Sequence, residues 1–146
     1  MNSTCPFCDE MSLQNRLIKE NEHARAFLTN IPIVPGHTLI IPKRHIVKFS
    51  ELSQYESKSI FELMNDICHS LKITFDAKGF NFAWNEGKEA GQSVPHFHLH
   101  IVPRKVNDEG IYEYDPRKFL YRPGSRAKSM ESELIEVTEL IKSKIK

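Results

Sequence analysis

The sequence predicts an α+β fold: an antiparallel sheet with two main helices segregated from the strands. Three observations carry this expectation. Several short apolar runs are bounded by Pro, Gly and polar residues, as strands are. Two longer segments, beginning at Ser53 and Ser129, carry apolar residues at helical spacing. The stretch VPHFHLHIVPR at residues 94–104 alternates strictly, as a strand with two unlike faces does.

In chain order, Leu17-Ile18 and Ala26-Phe27-Leu28 flank the polar KENEHAR and are expected to form a hairpin. Asn30 to Gly36 holds two prolines and a glycine, which places a loop there. His37 to Ile41 reads as a buried strand ended by Pro42. Ser53 to about Ile73 is the clearest helix, because Ser53-Gln54-Tyr55-Glu56 fits a capping box. Its expected buried face holds Ile60, Phe61, Met64, Ile67, Cys68 and Leu71, with Cys68 in a packing role. Gly79 to Glu86 and Val94 to Pro103 read as two strands joined through GKEAG. Residues 104–128, rich in Arg, Lys, Pro and Gly, read as a loosely held loop. Ser129 to Lys146 is the second helix, with Leu134, Val137, Ile141 and Ile145 on one stripe. Glu131 and Glu133 in its first turn and Lys142, Lys144 and Lys146 in its last suit the helix dipole.

Composition limits the function. At 146 residues the chain is expected to be one domain, 1–146, with its core over about 5–105 and a loop plus helix over 106–146. Twenty basic and nineteen acidic residues leave a charge of +1, so nothing global demands nucleic acid or an anionic membrane. The basic residues from Arg104 to Lys128 are interleaved with Asp108, Glu109, Glu113 and Asp115. They read as a solvated rim that steers anions rather than as an RNA-binding surface. MNSTCPFCDE has no apolar run, and TLIIP is far too short to span a bilayer. Three cysteines do not make a disulfide framework, so a cytoplasmic location is expected.

Two clusters carry chemistry. His96, His98 and His100 share one strand face, about 6.7 Å apart in succession, while Phe97, Leu99 and Ile101 take the core face. Three adjacent imidazoles cannot all be charged without repulsion, so the face stays partly neutral near pH 7. Neutral imidazole serves as nucleophile, base or metal ligand. The second cluster is Cys5-Pro6-Phe7-Cys8, whose spacing is half of a tetrahedral zinc site. The spacing alone also fits a redox pair or two ordinary thiols. His45 and His96 are the candidates for the other half.

His96-Phe97-His98-Leu99-His100-Ile101-Val102 resembles the signature of the histidine triad family, His-φ-His-φ-His-φ-φ with φ apolar, at every position. Pro35-Gly36-His37-Thr38-Leu39-Ile40-Ile41-Pro42-Lys43-Arg44-His45 is similar to its second signature. Asn85-Glu86-Gly87 with Gly91-Gln92-Ser93-Val94 is similar to its third. The resemblance implies a histidine-triad-like fold, dimeric with one sheet continuous across the interface, and a nucleotide hydrolase acting at the α-phosphate. It makes His98 the nucleophile of a nucleotidyl-histidine intermediate, with His100, His37 and His96 as further catalytic-site residues. It places Asn85 and Ser93 on phosphate, with Gln92 beside them, and Phe7, Phe27 and Leu28 around the base. Thr29 departs from the acid or asparagine usual at the ribose position, and Asn30 stands beside it as a possible substitute. Some family members, and the related galactose-phosphate uridylyltransferases, resemble this chain in a structural zinc site matching Cys5, Cys8, His45 and His96.

The implied substrate is a dinucleoside polyphosphate, such as a diadenosine polyphosphate. Val102-Pro103-Arg104-Lys105 and Ile111-Tyr112-Glu113 resemble that branch of the family. Asn85-Glu86-Gly87 resembles the branch that cleaves purine nucleoside phosphoramidates, which stays as an alternative. A nucleotide-binding regulatory protein with incidental turnover is the other, since one pocket serves both. His100, where a glutamine would point to transfer, favours hydrolysis.

Overall fold

The computed structural model describes residues 5–108 and 128–145. The expected basic loop therefore lies, over residues 109–127, outside the described residues. Five strands, β1 (Leu17–Glu20), β2 (Ala24–Leu28), β3 (Thr38–Pro42), β4 (Gly79–Ala83) and β5 (Leu99–Arg104), form one sheet in the order β1-β2-β3-β5-β4. Every neighbouring pair is antiparallel. The helices are the single turn α1 (Glu10–Leu13), the long α2 (Gln54–Phe75) and α3 (Glu131–Lys142). The α+β expectation is met.

The sheet has two buried faces with different covers. Ala24, Ala26, Leu28, Ile40, Leu99 and Ile101 pack with Phe97 against Ile60, Leu63, Ile67 and Leu71 of α2 and Leu134 and Ile141 of α3. On the other face Phe27, Leu39 and Ile41 meet Cys5, Phe7 and Leu13 of the N-terminal segment. The alternation of β2 and β3 sorts their residues between these two clusters. The histidines lie on the face that the N-terminal segment covers.

The capping box forms as expected. The Ser53 hydroxyl accepts from the Glu56 amide, and Glu56 returns the bond to the Ser53 amide at 2.9 Å. Arg44 donates to both Glu56 oxygens, at 2.8 and 3.1 Å. That ion pair is the main reason the buried Glu56 carboxyl is held below the usual carboxylate range. It ties the segment after β3 to the start of α2.

Five expectations need correction. Phe61 is 62% exposed, because the buried stripe of α2 is Ile60, Leu63, Ile67 and Leu71. At 100° per residue Phe61 stands about a third of a turn from the centre of that stripe. Met64 and Cys68 sit at its flank, partly buried against the core, and burial raises the Cys68 thiol to about 11. β4 ends at Ala83 rather than Glu86, and β5 starts at Leu99 rather than Val94. Pro95 has no N–H to donate, His96 donates its amide to the Val94 carbonyl, and Phe97 donates to Ile46 outside the ladder. β3 begins one residue after His37 and includes Pro42. α3 begins at Glu131, two residues late, with Leu134, Thr138 and Ile141 buried and Val137 and Ile145 packed at the edge.

Among the described residues no helix is long and apolar enough to cross a membrane. The stripe assignment can be checked directly. Leu63, fully buried, should cost about 2–5 kcal/mol when changed to Ala. Its exposed neighbour Glu62, changed to Ala, should stay within about 0.5 kcal/mol. Urea unfolding midpoints of the two variants give the comparison.

Candidate active site and metal centre

The tautomers of the histidines follow from their partners. The amide of Ile33 can only donate, and it lies 3.1 Å from Nδ1 of His37. A neutral His37 therefore carries its proton on Nε2 and donates it to Nδ1 of His100, 3.0 Å away. That leaves the His100 proton on Nε2. His98 is fixed differently: its Nδ1 lies 2.8 Å from the carbonyl oxygen of His96, so it must bear the hydrogen. The lone pair of His98 is then on Nε2.

All four of His37, His96, His98 and His100 are buried. Burial lowers the pKa of His98 and outweighs the opposing pull of the His96 carbonyl. The ring is neutral near pH 7, as a nitrogen nucleophile must be. Two other rings neighbour it, His100 with centroids 5.0 Å apart and Phe7 at 5.1 Å and 78°.

His96 belongs to a second cluster. Its Nε2 donates to the Pro42 carbonyl at 2.9 Å, and its Nδ1 lies 3.5 Å from the sulfurs of both Cys5 and Cys8. Both ring nitrogens are thus engaged away from His98, and His96 serves the nucleophile through its backbone carbonyl alone. This narrows the catalytic role expected for it. Burial, reinforced by His45 and His98, lowers its pKa to about 4. Nδ1 of His45 lies 3.2 Å from the Cys8 sulfur, and the four donor atoms of Cys5, Cys8, His45 and His96 all fall within 4.8 Å of one another. A tetrahedron with zinc–sulfur and zinc–nitrogen bonds of ordinary length has edges of about 3.3–3.8 Å. The three sulfur–nitrogen separations of 3.2–3.5 Å lie within or just below that range, so this group could hold a metal ion. Two thiol and two imidazole donors are the set that suits zinc and leaves no open position.

The remaining predicted site residues divide. Phe7 and Phe27 meet edge to face at 5.2 Å on the histidine side of the sheet. Leu28 does not join them. It follows Phe27 in β2 and so points into the core with α2, which the strand alternation alone could have told. Asn85 follows the end of β4, two residues past the last pair Ala83↔His100, and is buried. Ser93 is exposed in the loop just before the triad. Gln92 is used inside that loop: its oxygen accepts from the Gly87 amide at 2.9 Å and its nitrogen donates to Val47 at 3.1 Å. Gly87 and Gly91, with φ of 92° and 90°, permit the turn that Gln92 closes. Buried Thr29 accepts from the Ile31 amide at 3.2 Å, while the carbonyl of Asn30 accepts from Ser129 at 2.8 Å.

One residue escaped the sequence reading. Arg16 is buried with its guanidinium 5.1 Å from the centroid of Phe27, donating to the Leu28 and Ser12 carbonyls. Burial lowers its pKa. An arginine between α1 and a hairpin gives no sequence signal of this packing, because its acceptors are backbone carbonyls.

The model of the HIT domain matches residues 11–107. This chain belongs to the HIT family. An uncharacterized HIT-like protein of Mycoplasma genitalium is 47% identical over 111 residues, covering 75% of this chain and 79% of that protein. The bis(5'-adenosyl)-triphosphatase of Saccharomyces cerevisiae is 41% identical over 98 residues, 66% of this chain and 48% of the yeast protein. The crystal structure of a zinc-bound histidine triad family protein from Mycobacterium smegmatis matches with a TM-score of 0.72 and 28% identity. That match covers 96% of this chain and 91% of the other. The antiparallel sheet with its helices is the HIT fold.

The donor set makes a measurable demand. Protein purified without chelator should hold about one zinc per chain. Cys5→Ser and Cys8→Ser should each lower metal content and melting temperature together. Full occupancy in both variants, read by atomic emission, would refute the assignment of the ligands.

Proposed function

We propose that this HIT-family chain is a nucleotidyl hydrolase that cleaves dinucleoside polyphosphates at the α-phosphate. The observation that carries the proposal is His98: a buried neutral imidazole with Nδ1–H bonded to a carbonyl and its lone pair on Nε2. The likeness to a yeast bis(5'-adenosyl)-triphosphatase supports the substrate class.

In this reading Nε2 of His98 attacks the α-phosphorus, a P–N bond forms and the bond to the bridging oxygen breaks. The nucleoside polyphosphate leaves with the electron pair of that oxygen. Water then attacks the same phosphorus, the P–N bond breaks, and His98 returns neutral while a nucleoside monophosphate departs. The proton on Nε2 of His100, fixed there through His37, is available to the phosphoryl oxygens or the leaving group. Asn85 and Ser93 contact phosphate, Phe7 and Phe27 bound the base, and Thr29 or Asn30 meets the ribose. Zinc on Cys5, Cys8, His45 and His96 is structural. The chain works as a homodimer of single HIT-like domains. Exposed Phe82 and Trp84, on and just past the edge strand β4, support that assembly.

Incubation with a panel of dinucleoside polyphosphates and purine nucleoside phosphoramidates, with product identification, tests the substrate. Faster turnover of the phosphoramidates would shift the assignment to that class, and tight binding with negligible turnover to a regulatory protein. His98→Ala should abolish turnover with the fold intact, and a retained rate would end the covalent assignment. Because burial lowers the His98 pKa, its acid limb should begin below the ordinary histidine value of about 6.5. Protonation then removes the lone pair, so kcat/KM, which reports the free enzyme, falls as the pH drops through the lowered His98 pKa.

Thr29→Asp should tighten ribonucleotide binding by about 1.5–3 kcal/mol, the scale of a charged hydrogen bond. The gain should be much smaller for deoxyribonucleotides. Calorimetry with both sugars decides whether position 29 reads the ribose.

A further inference from the structure

We propose that Phe7 is a positioning residue for His98, and that through it the occupancy of the metal site sets the orientation of the nucleophile. The proposal rests on the assignment of His98 made above and deepens it.

A single hydrogen bond holds one nitrogen of the His98 ring, from Nδ1 to the His96 carbonyl. Such a bond leaves the plane of the ring to be set by its neighbours. Those neighbours are His100, with centroids 5.0 Å apart, and Phe7, at 5.1 Å with planes at 78°. His100 stands in β5 and is tied to His37, so the sheet holds that wall.

Phe7 comes from outside the sheet. It lies in a tight turn closed by the Cys8 amide on the Cys5 carbonyl at 3.1 Å, between two of the four metal donors. Its own ring reaches His98 on one side and Phe27 of β2, at 5.2 Å, on the other. The third donor is His96, whose carbonyl is the His98 acceptor. One ion on Cys5, Cys8, His45 and His96 therefore fixes both restraints that β5 does not itself supply. The donors of the turn meet His45 and His96 in thiol–imidazole contacts of 3.2–3.5 Å, beside an edge-to-face contact of the Phe7 and His96 rings at 6.0 Å. Sulfur is a weak hydrogen-bonding group. An ion would hold the turn more firmly than these contacts do, and Phe7 would follow any shift of its turn.

The alternative is that Phe7 is only a wall of the base pocket or only part of the metal scaffold. The experiment separates these. Phe7→Ala and the milder Phe7→Leu are compared with wild type for zinc content, for kcat and KM, and for the imidazole 15N–1H spectrum without substrate. Positioning predicts about one zinc retained per chain, kcat lower by about tenfold to a hundredfold beyond any rise in KM from the altered base pocket, and a His98 signal that broadens or splits. Phe7→Tyr, which keeps the ring, should restore kcat and the sharp signal. Wild type stripped of zinc, its circular dichroism unchanged, should show the same altered signal.

A raised KM with unchanged kcat, loss of zinc in both variants, or an unchanged His98 signal in them overturns the proposal. Unfolding of the wild type on zinc removal overturns the link between metal and Phe7. If instead His98→Ala keeps the wild-type rate, the nucleophile assignment has failed. The spectra then still report whether Phe7 orders the ring.

Discussion

The two-residue period of residues 96–101 governs the rest of the structure. Phe97, Leu99 and Ile101 are drawn into the core beneath α2 by the loss of apolar surface to water. Their burial forces His96, His98 and His100 onto the opposite face, whatever those histidines would prefer. No other packing satisfies both sets, because a slip by one residue would bury the imidazoles under α2 and expose the apolar side chains. The hydrophobic effect thus places the polar groups, and the polar groups need only be satisfied where they fall.

Satisfying them takes backbone rather than charge. Buried imidazoles are easiest to hold neutral, and each neutral ring needs one donor partner and one acceptor partner. The Ile33 amide, the Pro42 carbonyl and the His96 carbonyl supply these without bringing an ionised side chain into the site. The loop from Asn30 to Gly36 and the irregular stretch before β5 are what free such backbone groups from the sheet ladder. The departures of β4 and β5 from their expected bounds are therefore part of how the site is made.

The N-terminal segment closes the histidine face in place of a helix. It contributes Cys5, Phe7 and Leu13 to a cluster with Phe27, Leu39 and Ile41, a small apolar cover for half a sheet. Cys5 and Cys8 at its start bring it against His45 and His96 in a group that could hold a metal ion, which would fasten the segment there. Arg16 reinforces the same junction by lying over Phe27 and donating to carbonyls of α1 and β2. On the other side of the sheet the Glu56–Arg44 pair does comparable work, joining the end of β3 to the cap of α2.

Sequence by itself determined the elements whose cause is local. The α2 cap follows from Ser53 and Glu56 three residues apart, and the common face of the histidines from alternation. CxxC spacing raised a metal site as one reading among several, the family resemblance named His45 and His96 as the other half, and the four donor atoms do come together. What tertiary structure alone decided depends on partners distant in the chain. Which nitrogen of His98 or His100 bears the proton is set by Ile33, His37 and a carbonyl two residues back, and no residue type encodes that. Phe61 had the right character for the core and the wrong angle, because the stripe is centred by what α2 packs against. Gln92 was placed near phosphate by its neighbours in sequence, yet its amide is spent on Gly87 and Val47. Phe7 came to touch His98 only because Cys5 and Cys8 fold back onto His45 and His96, a closure over 88 residues or more in the contacts with His96 that no local pattern contains.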